Sequence, residues 1–140
     1  GCAQLEKLPS FVERRKHNFK RLYKKLEGCR EQLILPETCE NSDPSWFGFL
    51  LTCRENVERN KVVSYIEEHG IQTRMLFAGN LVKHPCFDQM RKTGKGYRMI
   101  GDLKNTDRIM QDTFWVGVYP GMTDEMIDYM AEIIIEAIHQ

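Results

Sequence analysis

The chain has 140 residues, of which 41% are apolar and 10% aromatic, and its twenty basic residues are balanced by twenty acidic ones. These values are typical of one globular domain, and they exclude collagen-like, low-complexity and broadly disordered chains. Because the formal net charge is zero, we expect no whole-molecule attraction to nucleic acid or to an anionic membrane.

The charge is nevertheless uneven along the chain. Residues 1–28 carry eight Lys and Arg against three Glu, a net charge of +5, and residues 29–140 carry twelve basic against seventeen acidic residues, a net charge of −5. This asymmetry could seat a basic helix on an acidic body or partner, although such charges more often form a solvated helix face. The sequence contains neither an apolar run of membrane-spanning length nor a signal-peptide core, so we expect a cytoplasmic protein.

The cysteines favour free thiols. There are five, an odd number, and they are widely spaced without a C-x-x-C pair: Cys2, Cys29, Cys39, Cys53 and Cys86. Neither a disulfide framework nor a common zinc or other metal site has this pattern, so we expect no metal ligands here.

The first predicted element is a long amphipathic helix from Gln4 to Gly28. Its apolar residues recur at intervals of three, four and seven, and Pro9 is expected to kink or divide it. Since Gly1 and Cys2 provide no convincing cap, the chain is expected to begin inside a helix of a longer protein.

Two strands with a helix between them are predicted next. The aromatic and apolar stretch Trp46–Cys53 predicts a buried strand, after a short apolar run at Leu33–Leu35. A helix is predicted from about Glu58 to His69, ending at Gly70 in a left-handed cap, and Ile71–Phe77 predicts another strand.

The second half is predicted to begin with a long loop. Glycines and Pro85 punctuate Ala78–Gly101, which favours a loop with at most one helical turn. A helix capped by Asn105 or Thr106 is expected to run to about Thr113. The residues that follow predict a strand at Trp115–Val118 and a last helix capped by Thr123 with the buried stripe Ile127, Ala131, Ile134 and Ile138.

Together these elements predict an α+β fold, with about three short strands, helices on one face and a long N-terminal helix. The sequence contains no phosphate-binding glycine fingerprint, no G-x-S-x-G and no H-E-x-x-H motif. We therefore expect no catalytic residues of a self-contained active site.

Polar residues interleaved with aromatics do stand out at the predicted strand ends. They occur in NSDPSWFGF (41–49), TRMLFAGN (73–80) and NTDRIMQDTFWVGVYPG (105–121), with AQLEKLP at 3–9 and GDLKNTDR at 101–108. These strings resemble, almost from end to end, the C-terminal part of the CDP-4-keto-6-deoxyglucose 3-dehydrase branch of the DegT/DnrJ/StrS family. That family is similar to sugar aminotransferases and includes enzymes of lipopolysaccharide biosynthesis.

The resemblance implies a small C-terminal domain of a type I PLP-dependent transferase fold, with a short, mostly antiparallel sheet. Residues 1–28 would be a connecting helix and residues 29–140 the small domain, and a large domain would lie upstream. The full-length enzyme would be a cytoplasmic homodimer that uses pyridoxamine or pyridoxal 5'-phosphate and a [2Fe-2S] cluster. It would remove the C3 hydroxyl of a CDP-linked 4-keto-6-deoxy sugar, with electrons from a flavin and iron–sulfur reductase.

The resemblance also implies site residues. Phe47 and Trp46 would lie near the cofactor ring, although both could equally be core aromatics on a buried strand. Phe77 and Asn80 fall where the family places substrate-facing residues, and Arg74 could pair with the diphosphate or with an acidic residue. The cofactor's phosphate site, the histidine that replaces the usual Schiff-base lysine and the cluster cysteines would lie upstream, so this chain alone is expected to bind no cofactor and to be inactive.

Two alternatives remain open. The chain could be the domain of a nucleotide-sugar aminotransferase, which a lysine rather than a histidine in the large domain would indicate. It could also be a free-standing interaction module that uses its basic helix to dock on another protein.

Overall fold

A four-stranded antiparallel sheet forms the centre of the protein. The computed structural model describes all 140 residues. The strands lie in the order β1-β2-β4-β3, and every neighbouring pair is antiparallel. Their bounds are Leu33–Ile34 (β1), Gly48–Cys53 (β2), Thr73–Met75 (β3) and Thr113–Gly117 (β4).

The chain also forms six α-helices. They are α1 (Cys2–Leu5), α2 (Leu8–Leu26), α3 (Arg59–Glu68), α4 (Asp88–Thr93), α5 (Lys104–Asp112) and α6 (Asp124–Ala137). Short 3₁₀ turns occur at Glu27–Cys29, Leu81–Lys83 and Pro85–Phe87. None of the helices combines the length and the apolar composition needed to cross a bilayer.

The register of the two central strands separates the faces of the sheet. Phe49 lies opposite Val116 and Leu51 lies opposite Phe114, and all four side chains are fully buried. Because strand side chains alternate between faces, these residues point to one side and their neighbours point to the other. The buried side is covered by α2, α3 and α6.

The apolar stripe of α6 supplies much of the core. Ile127, Ala131 and Ile134 are fully buried, and Ile138 just beyond the helix is 7% exposed. Thr123 caps the helix, since its hydroxyl accepts a hydrogen bond of 3.3 Å from the Met126 N–H. The predicted stripe and its cap are therefore confirmed.

The basic helix α2 lies along α6 and is held there by ion pairs. Arg21 makes a bidentate contact with Asp128 at 2.7 and 2.8 Å and reaches Asp124 at 3.0 Å. Other basic groups on the same two carboxylates are Arg14, His17 and Lys25. The charge asymmetry of the sequence thus reflects a basic helix seated on an acidic one.

A buried amide adds a second attachment of α2. Asn18 is fully buried, and its Nδ2 donates to the Tyr119 carbonyl at 2.9 Å and to the Met122 carbonyl at 3.3 Å. Arg14 also donates to the Met122 carbonyl at 3.0 Å. The turn between β4 and α6 is therefore fixed by α2.

Several sequence predictions are confirmed by these bounds. The fold is α+β with an antiparallel sheet, Pro9 lies in the first turn of α2 and separates it from α1, and Gly70 has a φ of +78° after α3. Whether the chain divides into two units at residue 28 stays a prediction, although Leu22 and Leu26 belong to the same buried core as the sheet.

Other predictions are wrong. The sheet has four strands, because the apolar run at 33–35 pairs with the end of β2. The segment 78–101 contains α4 and two 3₁₀ turns, more than the single turn expected. Neither Asn105 nor Thr106 caps α5; Leu103 precedes the helix with a φ of +54°, and Asp102 accepts a hydrogen bond of 3.2 Å from the Lys104 N–H.

The Asp128 ion pair gives a pH-dependent contribution to stability that can be measured. Arg21 lowers the pKa of Asp128 to about 2, from 3.8. A carboxyl group whose folded pKa is depressed stabilises the fold above its unfolded pKa and loses that contribution as the pH falls. We expect Asp128→Asn to lower the free energy of unfolding at pH 7, and the difference from wild type to shrink between pH 4 and pH 2.

Urea unfolding followed by circular dichroism at several pH values measures this difference. Asp43→Asn is the matched control. Asp43 pairs with Lys16, but its side chain is 86% exposed, so we expect this change to affect the free energy of unfolding less. An effect of Asp128→Asn that stays constant from pH 7 to pH 2 would contradict the ion-pair explanation.

Candidate functional site

The face of the sheet that the helices leave uncovered carries a row of side chains. Leu50, Trp115 and Arg74 lie side by side across β2, β4 and β3, because Trp115 is the register partner of both other residues. Leu50 and Trp115 are half-buried and Arg74 is exposed. This open face is the only broad sheet surface that remains accessible.

Aromatic rings enclose a cleft on the open face, which we call the aromatic cleft. It is lined chiefly by Trp46, Phe47, Leu50, Leu76, Phe77 and Trp115. Phe47 packs edge-on against Trp115, with ring centroids 5.5 Å apart and planes at 86°. A planar ring could stack on this surface, since aromatic faces attract flat π-systems.

Trp46 and Phe47 do not lie within a buried strand as expected; they immediately precede β2. Phe47 is 64% exposed, and its carbonyl accepts a hydrogen bond of 2.7 Å from the Val118 N–H. Trp46 is half-buried, with its ring centroid 4.8 Å from that of Phe19 on α2. Trp46 is therefore partly a packing residue, whereas Phe47 is available to a ligand.

Phe77 has an unusual backbone conformation and a highly exposed side chain. Its φ is +50°, its side chain is 81% exposed, and its N–H donates to the Met75 carbonyl at 2.8 Å. A bulky residue rarely adopts this left-handed conformation, and residues held in it cluster at functional sites. The ring is held at the rim of the aromatic cleft rather than buried.

Arg74 has no acidic partner. Its Nη1 donates to the neighbouring Thr73 carbonyl at 2.8 Å. Arg74 lines a second groove, next to the aromatic cleft, together with Trp115, Tyr119 and Tyr129. The alternative that Arg74 pairs with an acidic residue of this chain finds no support. The guanidinium is free to contact an anionic group.

Asn80 is turned away from the cleft. It is 3% exposed, its Nδ2 donates to Asp107 Oδ1 at 2.7 Å, and its Oδ1 accepts from the Val82 N–H at 3.1 Å. Direct contact between Asn80 and a substrate stays a prediction. Its contacts in this structure are those of a residue that shapes the loop after Phe77.

The aromatic cleft offers surfaces rather than reacting groups. The single carboxylate beside it is Glu37, whose side chain is 75% exposed and lies 3.7 Å from Arg30. The cleft has no histidine, lysine or cysteine in its lining. The arrangement can hold a planar or apolar ligand and exclude water from one side of it.

A pyridoxal-type cofactor would find only part of its site in this chain. The aromatic wall at Phe47 and Trp115 fits one side of a planar ring, but no basic side chain or helix N-terminus lines the cleft to hold its phosphate. The cysteines do not fit an iron–sulfur cluster, because no three His, Cys, Asp or Glu side chains gather in a metal-binding geometry. Both groups would need residues outside this chain.

Comparison with known proteins identifies the family. The model of the DegT/DnrJ/EryC1/StrS aminotransferase family matches residues 1–135. The chain belongs to this family. The resemblance found in the sequence motifs is thereby confirmed, and the fold is that of a C-terminal portion of these enzymes.

Two relatives are similar over most of the chain. It is 51% identical over 132 residues to the lipopolysaccharide biosynthesis protein RfbH of Salmonella typhimurium, covering 93% of this chain and 29% of that protein. It is 44% identical over 138 residues to the dTDP-4-dehydro-2,6-dideoxy-D-glucose 3-dehydratase of Saccharopolyspora spinosa, covering 97% and 29%. The chain thus spans less than a third of the length of these relatives.

Solved structures show the same architecture. The GDP-4-keto-6-deoxy-D-mannose-3-dehydratase of E. coli with bound hydrated PLP is 25% identical, with a TM-score of 0.78 over 96% of this chain and 33% of that one. Another structure of such a dehydratase, with bound GDP-perosamine, is 26% identical over 96% of this chain and 33% of that one, with a TM-score of 0.79. An aminotransferase from Streptoalloteichus hindustanus, at 18% identity and a TM-score of 0.80 over 99% and 35%, shares the fold.

Sequence reasoning did not identify Trp115 as a residue of the cleft or Asp107 as the partner of Asn80. Trp115 lies between the buried residues Phe114 and Val116, and a strict alternation of faces could have assigned it to the open face. No local pattern pairs Asp107 with Asn80, because the two are 27 positions apart and meet only through the packing of α5.

Thiol reactivity should divide the cysteines into two classes. Cys29 and Cys53 are buried, and burial raises the pKa of both thiols, that of Cys53 to about 11. Cys2, Cys39 and Cys86 are exposed. Since the thiolate is the reactive form, we expect three fast-reacting thiols in the native chain and five after denaturation without reductant.

A colorimetric thiol assay on protein purified without reductant measures both counts. Replacing Cys86 by Ser is the internal control, because it should remove one fast-reacting thiol and leave the slow class unchanged. Fewer than five thiols after denaturation would show that some cysteines are oxidised or bound.

Proposed function

We propose that this chain is the C-terminal domain of a sugar-nucleotide 3-dehydrase that removes the C3 hydroxyl of a CDP-linked 4-keto-6-deoxyhexose in deoxysugar and O-antigen biosynthesis. The observation that carries the proposal is the 51% identity to a lipopolysaccharide biosynthesis protein over 93% of the chain. A second relative, 44% identical, is named as a sugar 3-dehydratase. The CDP group rests on the motif resemblance described above.

In the full-length enzyme, bound pyridoxamine 5'-phosphate would supply the electron sink through which the C3 hydroxyl of the keto sugar is lost. The present chain contributes surfaces around that reaction. Phe47 and Trp115 form an apolar wall for planar groups, and Phe77 extends over the rim of the aromatic cleft. These rings orient the ligand and keep water from one side of the site, and excluding water strengthens electrostatic interactions within it.

Arg74 would contact the anionic part of the substrate. Arg74 lines a neighbouring groove that shares Trp115 with the aromatic cleft, it makes no ion pair within this chain, and a nucleotide diphosphate is an anion that Arg binds well. The phosphate site of the cofactor, the proton-transferring histidine and the ligands of a [2Fe-2S] cluster would come from the large domain. We further propose a cytoplasmic homodimer that receives electrons from a flavin and iron–sulfur reductase.

A nucleotide-sugar aminotransferase is the second function that the fold allows, since family enzymes of both kinds share it. Two relatives named as sugar 3-dehydratases, 44% and 29% identical to this chain, favour dehydration. The identity of one residue in the large domain distinguishes the two, because a lysine there would favour transamination and a histidine dehydration. A free-standing interaction module is disfavoured, because the family match includes 135 of 140 residues.

The isolated chain should bind no cofactor. Its aromatic cleft has no group that holds a phosphate, so an absorbance titration with pyridoxamine or pyridoxal 5'-phosphate should show no saturable change, and no CDP-sugar should be dehydrated. The full-length enzyme is the positive control in the same titration. Saturable micromolar binding by residues 1–140 would overturn the assignment of the cofactor site to the large domain.

The full-length enzyme should prefer a CDP-sugar. We expect kcat/KM for the CDP-linked 4-keto-6-deoxyhexose to exceed the values for the dTDP- and GDP-linked sugars by at least roughly tenfold, about 1.4 kcal/mol in transition-state binding. Mass spectrometry of the products measures loss of the C3 hydroxyl for each substrate. A preference for dTDP or GDP would refute the CDP assignment, and formation of an amino sugar would support the aminotransferase alternative.

A further inference from the structure

The loop that carries Phe77 is attached to one helix at several points. Residues 77–83, which we call the rim loop, run from the end of β3 along α5. Asp107 on α5 accepts a hydrogen bond from Asn80 Nδ2 at 2.7 Å through Oδ1 and lies 2.8 Å from Lys83 Nζ through Oδ2. One carboxylate therefore binds the middle and the end of the rim loop.

Met110, nearly one turn further along α5, covers the same loop. Its Sδ accepts a hydrogen bond of 3.3 Å from the Asn80 N–H, and a Cβ at Gly79 would overlap its side chain. Gly79 also has a φ of +63°. The backbone at residues 79 and 80 therefore lies directly against α5, with no space for a side chain at position 79.

The carboxylate of Asp107 suits this bridging role. The hydrogen bond from Lys83, followed by the one from Asn80, lowers its pKa, so it is ionised at neutral pH and accepts from both partners. Its side chain is only 23% exposed, which limits competition from water. Charge-assisted hydrogen bonds in such a site are stronger than neutral ones.

We propose that Asp107 is a positioning residue that fixes the rim loop on α5 and thereby sets how far Phe77 reaches over the aromatic cleft. The inference rests on the proposed function, because Phe77 matters only if a substrate enters that cleft. Asp107 touches no reacting atom; it acts through Asn80 and Lys83. Its loss would leave the buried core intact, since none of these contacts involves a core residue.

Steady-state kinetics of the full-length enzyme with the CDP-sugar test this role. We expect Asp107→Ala to raise KM and to lower kcat/KM by roughly tenfold to a hundredfold, the scale on which small errors of position reduce catalysis. Asp107→Asn keeps an acceptor for Asn80 and should recover part of the loss. Asn80→Ala should also raise KM, and the effects of the two changes should combine to less than their product in the double variant, because both single changes remove the same Asn80–Asp107 hydrogen bond.

Asp112→Ala is the matched control, since this carboxylate lies on the same helix 4.0 Å from Arg108 and makes no contact with the rim loop. It should leave KM unchanged. A kcat/KM of Asp107→Ala within twofold of wild type would overturn the proposal, as would a loss of activity that only follows a lowered melting temperature.

Amide hydrogen exchange of the same proteins separates this inference from the proposed function. Asp107→Ala should accelerate exchange in residues 79–83, including the Val82 N–H, which donates its hydrogen bond to Asn80 Oδ1, and Asp112→Ala should not. If the wild-type enzyme does not act on a CDP-sugar, the proposed function fails, and the exchange data then decide whether Asp107 holds the loop. Unchanged exchange in Asp107→Ala would refute the role of Asp107 whatever the substrate.

Discussion

The register between β2 and β4 is the constraint on which both faces of the domain depend. Pairing Leu51 with Phe114 and Phe49 with Val116 places four large apolar side chains in the core. The same pairing places Leu50 beside Trp115 on the open face. A slip of one residue would exchange the faces of a strand, burying Trp115 against the helices and exposing Phe114. Core packing and the aromatic cleft are thus two results of one alignment.

The helices cover only one face of the sheet. Helix α2 is attached to α6 by the Asp124 and Asp128 ion pairs and by the buried amide of Asn18, so both helices cover the same face. Exposed ion pairs contribute little individually, but a network of partly buried groups resists rearrangement better than single pairs. The opposite face keeps large apolar rings such as Phe47 in contact with solvent, which is typical of a binding surface.

Those parts of the fold that follow from short-range chemistry could be predicted from the sequence. The cap at Thr123, the stripe of α6 and the left-handed Gly70 depend on residues within a few positions of one another. The two-residue strand β1 could not be predicted, because its existence depends on pairing with Cys53, about twenty positions away. In the segment 78–101, glycine content favoured a loop, whereas Arg91 donates to the His84 carbonyl at 2.9 Å and stabilises compact helical turns there.

The candidate site, like the fold, could be predicted from the sequence only in part. The exposed aromatics Phe47 and Phe77 occur in the sequence strings through which the chain resembles the family, and both border the aromatic cleft. The orientation of Asn80 could not be predicted, because whether an amide faces a ligand or a neighbouring helix depends on the packing of α5. A buried amide needs hydrogen-bond partners, and Asp107 and the Val82 N–H supply them. Polar residues at a strand end therefore indicate that a site is near, but they do not show which of the side chains face it.

The conformation of Phe77 depends on how the rim loop is attached at its two ends. A left-handed φ at a bulky residue costs about 1–3 kcal/mol and persists only where the surroundings leave no alternative. On one side the Phe77 N–H is bonded to the Met75 carbonyl at the end of β3, and on the other Asn80 and Lys83 are held by Asp107. Only residues 78 and 79 lie between Phe77 and Asn80, so attachments on both sides restrict the conformations open to Phe77. The contacts of Asp107 with Asn80 and Lys83 lie outside the hydrophobic core, so we expect their loss to change the loop without unfolding the domain.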